Sequence, residues 1–263
     1  MNNGLLIINN SRGQYHDGTK LNTKTIQKIF GNTAYKIFND FKNINIAMNS
    51  LGKICLNYIN FYNHSIFFGG DHLSSYGTIL GSLLKYGNDF KLLWIDAHTD
   101  IHSFETSPSK NLHGMVVNFL INHNYKDIPR LNPNQILYIG IRSVETEEYE
   151  FINKWNISYI KMSNIRIDYF NSLQYIKNFV KDSNIHISLD VDVFDPIIMP
   201  STGTLEPNGL SINEFSDIIQ IVKVYSKKYY ATDIMEFNRK IGSPREVATS
   251  IHTIHHILNI VLQ

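Results

Sequence analysis

Short, continuously apolar runs alternate along this chain with longer stretches of helical period. The apolar runs predict strands at 5–8, 44–48, 65–68, 91–95, 135–139, 158–160, 185–189 and 229–233. Between them, one-faced spacing predicts helices at 24–38, 52–62, 74–86, 115–121, 145–154, 169–180, 212–225 and 244–262. Two helices carry explicit start signals: Ser211 ahead of Ile212-Asn213-Glu214, and Ser243-Pro244-Arg245-Glu246. The last shows Ile251, Ile254, Ile257, Leu258 and Val261 on one side. Strands apolar on both faces need cover on both faces, so the pattern predicts an α/β fold with a mainly parallel sheet. No linker, repeat or low-complexity block interrupts the alternation, and residues 1–263 are expected to form one domain.

Composition changes this picture little. A hydrophobic content of 43% and a charged content of 18% describe an ordinary globular chain, and a net charge of +1 gives no reason to expect nucleic acid or an anionic membrane as partner. The single cysteine, Cys55, excludes an intrachain disulfide and reads as a core thiol among Ile54, Leu56, Tyr58 and Ile59. The apolar stretch at residues 5–8 has no basic lead-in and is too short for a signal peptide, and no segment is long enough to cross a bilayer. A cytoplasmic protein is expected.

Chemistry concentrates where predicted strands end. Gly69-Gly70-Asp71-His72, Asp96-Ala97-His98-Thr99-Asp100 and Ser188-Leu189-Asp190-Val191-Asp192-Val193-Phe194-Asp195-Pro196 each follow or finish an apolar run. In such sheets ligands bind beyond the carboxyl ends of the strands. On an extended backbone Asp96, His98 and Asp100 would share one side, as would Asp190 and Asp192. So many ionisable groups at strand ends need a positive partner, and their number exceeds what one ion requires. Oxygen ligands outnumber nitrogen and no thiolate is present, which favours Mn²⁺ over structural zinc, with Co²⁺, Fe²⁺ and Ni²⁺ as substitutes. Two neighbouring ions would acidify a bridging water into a hydroxide nucleophile.

These three segments resemble the metal signatures of the ureohydrolases, the arginase and agmatinase family, and the resemblance runs from about residue 66 to the C-terminus. It implies a three-layer α/β/α sandwich with an eight-stranded parallel sheet. It also implies one manganese held by His72, Asp96, Asp100 and Asp190, and a second by Asp96, His98, Asp190 and Asp192. Asn111-Leu112-His113-Gly114 resembles the loop of the arginase branch, in which His113 would move a proton to the leaving amine. Asp100 would accept the proton of the nucleophile. Asp233-Ile234-Met235-Glu236-Phe237-Asn238 resembles the segment whose glutamate clamps the substrate guanidinium, a planar cation suited to a bidentate carboxylate. The plainer reading of Glu236 is a strand-end ion pair with Arg239 or Arg245.

Pro200-Ser201-Thr202-Gly203-Thr204 resembles the family's turn beside the guanidinium, with Thr204 as a hydroxyl contact. Ser109 and Asn111 match positions that bind the amino-acid carboxylate. His102 stands where asparagine is usual, and Ser143 and Glu145 stand where the pattern has two aspartates; Glu145 keeps one negative charge for an ammonium group. The implied activity is cleavage of L-arginine to L-ornithine and urea. Its rivals are a related ureohydrolase acting on agmatine or a guanidino acid, and a catalytically silent metal-bound scaffold. An N-terminal part shorter than is usual in the family, no C-terminal extension beyond the last helix and a homo-oligomer of undetermined order are expected. His16 and Asp17 receive no role, and His252, His255 and His256 read as a helix face.

Overall fold

A computed structural model of the protein describes residues 3–14, 18–39 and 43–263. Along β1 (Asn3–Ile8), Leu5 and Ile7 enter one apolar core and Leu6 and Ile8 another, on opposite faces of the sheet. In β4 (Phe90–Ile95), Leu93 and Ile95 are likewise opposed to Leu92 and Trp94. The remaining strands are β2 (Lys36–Phe38), β3 (His64–Phe68), β5 (Ile136–Ile141), β6 (Ser158–Lys161), β7 (Asn184–Asp190) and β8 (Lys228–Met235). All pairs are parallel, in the order β2-β1-β3-β8-β7-β4-β5-β6.

One face is covered by α2 (Ile44–Phe61), α3 (Leu73–Tyr86), α4 (Val116–Asn122) and α5 (Thr146–Trp155). The other carries α1 (Thr23–Phe30), α6 (Met162–Ile167), α7 (Tyr169–Val180), α8 (Ile212–Tyr225) and α9 (Pro244–Leu262). This is the α/β/α sandwich expected from the apolar strands. Helices α8 and α9 begin at the expected signals, with Ser211 and Ser243 capping and Glu214 and Glu246 bonding back. Helices α2 and α3 pack unusually close: a methyl on Gly81 would fall 2.8 Å from Cys55 Cβ and 3.0 Å from the Gly52 carbonyl. Cys55 is sealed in that contact, as expected for a core thiol. No helix among the described residues is long and apolar enough to cross a membrane.

Two expected elements are corrected. The apolar run 44–48 opens α2 instead of forming a strand, because Asn43 caps the Ile46 N–H and Ala47, Met48, Leu51, Cys55, Tyr58 and Ile59 bury at helical spacing. The missing strand comes from the end of the expected helix 24–38. That helix stops at Phe30, where Gly31 turns with φ +54°, and Lys36–Phe38 then pairs with Leu6–Ile8 as an edge strand. Helix α6 was not foreseen.

His64 on β3 makes acid stability testable. Its Nδ1 lies 3.2 Å from the Tyr229 carbonyl and its Nε2 2.9 Å from Thr232 Oγ1, and burial pushes its pKa down to about 4. The unfolded chain takes up this proton near pH 6.5 and the folded one only near 4, so stability falls as pH drops through that window. The expected loss from this group is on the order of 3 kcal/mol. In urea titrations across pH 7 to 4, His64→Gln should show a shallower decline than the parent; parallel declines would refute this assignment.

Candidate active site

Strands β3, β8, β7 and β4 are neighbours in the sheet, although 64–68 and 228–235 lie far apart in the chain. Their carboxyl ends bring together the Gly69–His72 turn, Glu236, Asp190–Asp192 and Asp96–Asp100. The turn after β3 needs its glycines, with φ of +91° at Gly69 and +86° at Gly70. A side chain on Gly70 would meet Ser74 Oγ at 2.4 Å. Bonds from Gly69 N to the Ile234 carbonyl (2.9 Å) and from Glu236 N to the Gly70 carbonyl (3.0 Å) lock this turn to the end of β8.

His72 is fully buried and stacks on Trp94, with ring centroids 4.1 Å apart. Its Nε2 lies 2.9 Å from Ser188 Oγ, and that hydroxyl donates its own proton to Ser75 Oγ at 2.9 Å. Ser188 must therefore accept from Nε2–H, which leaves Nδ1 as the ring's free lone pair. Around Nδ1, at 3.1 Å each, stand carboxylate oxygens of Asp96, Asp100 and Asp190, yet Nδ1 forms no hydrogen bond. His98 Nδ1 lies 3.1 Å from Asp192 Oδ2 and 3.5 Å from Asp96 Oδ1. Donor atoms of His72, Asp96 and Asp100, and those of Asp96, His98 and Asp192, lie within 4.8 Å of one another. A buried, unbonded imidazole lone pair facing carboxylates is an arrangement that divalent cations fit.

Convergence arises differently from the expected strand alternation. β4 ends at Ile95, before Asp96, and β7 ends at Asp190. Beyond those points the aspartates fold the backbone themselves: Asp96 Oδ1 accepts His98 N–H (2.7 Å) and Asp190 Oδ1 accepts Asp192 N–H (2.9 Å). Asp100 adopts φ +48°, and Asp192 sits in a 3₁₀ turn, Val191–Val193. Burial and the neighbouring Asp96 raise Asp100 to about 6. Burial, Asp192 and Asp96 raise Asp190 well above the usual carboxylate range. Burial works against the charged form of Asp96 too, but His72, whenever its Nδ1 takes up a proton, and His98 hold it below its ordinary value.

Glu236 follows β8 in a left-handed conformation, φ +67°, and is 3% exposed. Neither Arg239 nor Arg245 is its partner; the Arg239 side chain bonds the Lys20 carbonyl. Instead Oε1 accepts the His72 backbone N–H at 2.8 Å and lies 3.1 Å from His113 Nδ1, while Oε2 accepts Gln14 Nε2 at 2.7 Å. Burial disfavours protonated His113, but Glu236, Asp100 and Asp71 outweigh it and lift the pKa to about 9. Asp71 accepts Asn10 Nδ2 (2.8 Å) and Gly13 N–H (2.5 Å), fastening the N-terminal loop beside the site.

A cavity of about 360 Å³ opens over the cluster, bordered by His98, Asp100, Asp190, Asp192 and His113, with His102, Ser109, Ser143 and Glu145 at its rim. His102 is buried; its Nδ1 lies 3.1 Å from Thr106 Oγ1 and its Nε2 3.5 and 3.7 Å from Glu145 and Glu148. Ser109 Oγ accepts the Asn111 N–H at 3.2 Å. Thr204 is not left free as expected: its hydroxyl donates to Asp192 Oδ2 at 2.7 Å. Two contributors went unforeseen. Glu148 reaches the rim while completing the cap of α5, and the Arg142 guanidinium ties the carbonyls of Asp192, Val193 and Glu206 together. The sequence signal for Arg142 was a charge beside a strand end, and for Glu148 only its place in the acidic first turn of a helix. His252 and His256 pair at 3.0 Å on an exposed face of α9, while His16 and Asp17 lie outside the described residues.

An all-parallel α/β/α sandwich with acidic and imidazole groups converging at adjacent strand ends defines a class of metal-competent α/β proteins. The chain belongs to the arginase family, whose sequence model matches residues 7–261. Arginase from Plasmodium falciparum is 31% identical over 259 residues, 94% of this chain and 61% of that protein. This chain thus spans about three fifths of the length of that curated relative. In structure it is similar to Entamoeba histolytica arginase in complex with L-ornithine, with a TM-score of 0.87, 23% identity and coverage of 99% of this chain and 98% of the other. Formimidoylglutamase from Bacillus subtilis superposes with a TM-score of 0.82 at 18% identity, covering 99% and 86%. At such identities these two structures establish the shared fold alone.

Proposed function

We propose that the chain is an arginase-type amidinohydrolase that cleaves L-arginine to L-ornithine and urea. The observation that carries this reading is the unbonded His72 Nδ1 facing three carboxylates, beside a buried Glu236 that touches His113. His72, Asp96, Asp100 and Asp190 would hold one manganese, and Asp96, His98, Asp190 and Asp192 the other. When bound, the metal pair supplies a water nucleophile at neutral pH and charge stabilisation for the developing tetrahedral carbon.

The chain's own residues do the rest. Glu236 orients the guanidinium by a charge-assisted pair, made stronger by its burial. Asp100 accepts the proton released from the attacking water. His113, protonated at neutral pH beside Glu236, delivers a proton to the departing amine. At the rim, Glu145 and Glu148 suit an ammonium group, and Ser109 with Asn111 a carboxylate. Thr204 acts through Asp192, holding that carboxylate in place.

Chelator-stripped protein reconstituted with manganese should release urea and ornithine from arginine, and much less product from agmatine or guanidinobutyrate. Turnover of agmatine with no urea from arginine would replace arginine as the substrate. Metal-loaded protein inert toward every guanidino compound would leave only a metal-bound scaffold.

A further inference from the structure

Glu236 is closed off on both oxygens before any substrate arrives. Oε1 already has two partners, the His72 backbone N–H and His113 Nδ1. Oε2 accepts the carboxamide of Gln14 at 2.7 Å, and Glu236 is almost wholly buried beneath it. Oε2 is thus the oxygen on which a guanidinium N–H can dock once the carboxamide leaves. The planar –NH₂ of Gln14 therefore offers Oε2 what one arm of a guanidinium would offer. The other end of the amide lies against the 201–204 turn, since a Cβ on Gly203 would stand 3.5 Å from Gln14 Oε1.

The backbone just before this side chain is held on both its polar groups. Gly13 N–H is held by Asp71 Oδ2 at 2.5 Å, and the Gly13 carbonyl accepts His113 N–H at 3.1 Å. Vacating Oε2 thus requires only rotation of the Gln14 side chain, with no movement of the Asp71–Gly13–His113 bracing. Resting on the hydrolase reading above, we propose that Gln14 is a specificity-determining place-holder: its amide satisfies Glu236 in the free enzyme and is displaced by the guanidinium of the substrate. The exchange trades a hydrogen bond to a charged acceptor for a full ion pair. A cationic guanidinium wins that exchange, whereas a neutral ureido group gains little by it. Urea, neutral once formed, is expelled by the returning amide.

Kinetics of manganese-loaded Gln14→Ala and Gln14→Leu test the exchange. With the competitor removed, KM for the guanidino substrate should fall by on the order of tenfold, the scale of one hydrogen bond to a charged group, while kcat does not rise. Inhibition by guanidinium ion should tighten in parallel, and urea should become a measurable competitive inhibitor. If Gln14 instead merely braced Glu236, both variants would show higher KM and lower kcat. That result, or an unchanged KM, would overturn the proposal. Calorimetric titration with guanidinium ion separates it from the hydrolase reading. A wild-type protein that turns over no guanidino compound defeats the latter, while tighter guanidinium binding by Gln14→Ala still reports the exchange.

Discussion

Glu236→Gln should lower kcat/KM for arginine by about two to four orders of magnitude while both metal ions stay bound. Glu236 is nearly inaccessible to water, so a guanidinium placed against it makes an ion pair with little solvent screening. Removing one partner of such a buried pair costs about 3–5 kcal/mol, which sets the size of the effect. Glutamine is close to isosteric and keeps an oxygen to accept the His72 N–H, so the turn carrying His72 need not shift. Metal content by elemental analysis should match the parent, and the loss should appear with any guanidino substrate. Near-normal turnover in this variant would remove Glu236 from the substrate site.

Asp96→Ala should abolish turnover, by about four orders of magnitude or more, and should deplete both metals together. Asp96 is the carboxylate common to both groups of converging donors, so its loss weakens each. The activity at stake would rest on a water that a bound metal ion acidifies toward neutral pH. Stability should report the same event. In the parent, chelation would leave Asp96, Asp100, Asp190 and Asp192 buried together without the cations between them, so the melting temperature should drop sharply. Asp96→Ala should melt at the same temperature with and without chelator. A chelator-sensitive melt that survives in the variant would place the essential metal elsewhere.

The two expectations that failed in the fold share a cause. Local pattern alone points to a strand at 44–48 and an unbroken helix over 24–38, and it misses β2, which lies at the sheet's edge. There a short strand such as Lys36–Phe38 pairs with a single neighbour and needs little hydrophobic signature of its own. Inner strands were legible because burial on both faces demands unbroken apolar runs, as at Leu92–Ile95 and Ile136–Ile139.

At the site, residue types were legible and their arrangement was not. Aspartates and histidines clustered after apolar strands announced cation chemistry, since water cannot solvate them there. Their convergence was anticipated by the wrong geometry: turns closed by Asp96 and Asp190, not strand alternation, aim them. A sequence also gives no warning that a polar residue will find a buried partner. His186 and Asp233 meet at 2.9 Å with Ser82 and Thr78 completing the network, and nothing in the local sequence of any of the four pairs them.

By itself, then, the sequence determined the layered fold and the inventory of groups that bind cations, because both follow from periodicity and from the cost of burying charge. Only the tertiary structure decided which groups meet. The β3-β8-β7-β4 order sets residues 72, 96, 190 and 236 side by side, and the Asp71 tether brings Gln14 to Glu236. Such contacts depend on crossovers between distant segments, and a carboxylate's partners are fixed by what packs against it, not by its neighbours in the chain.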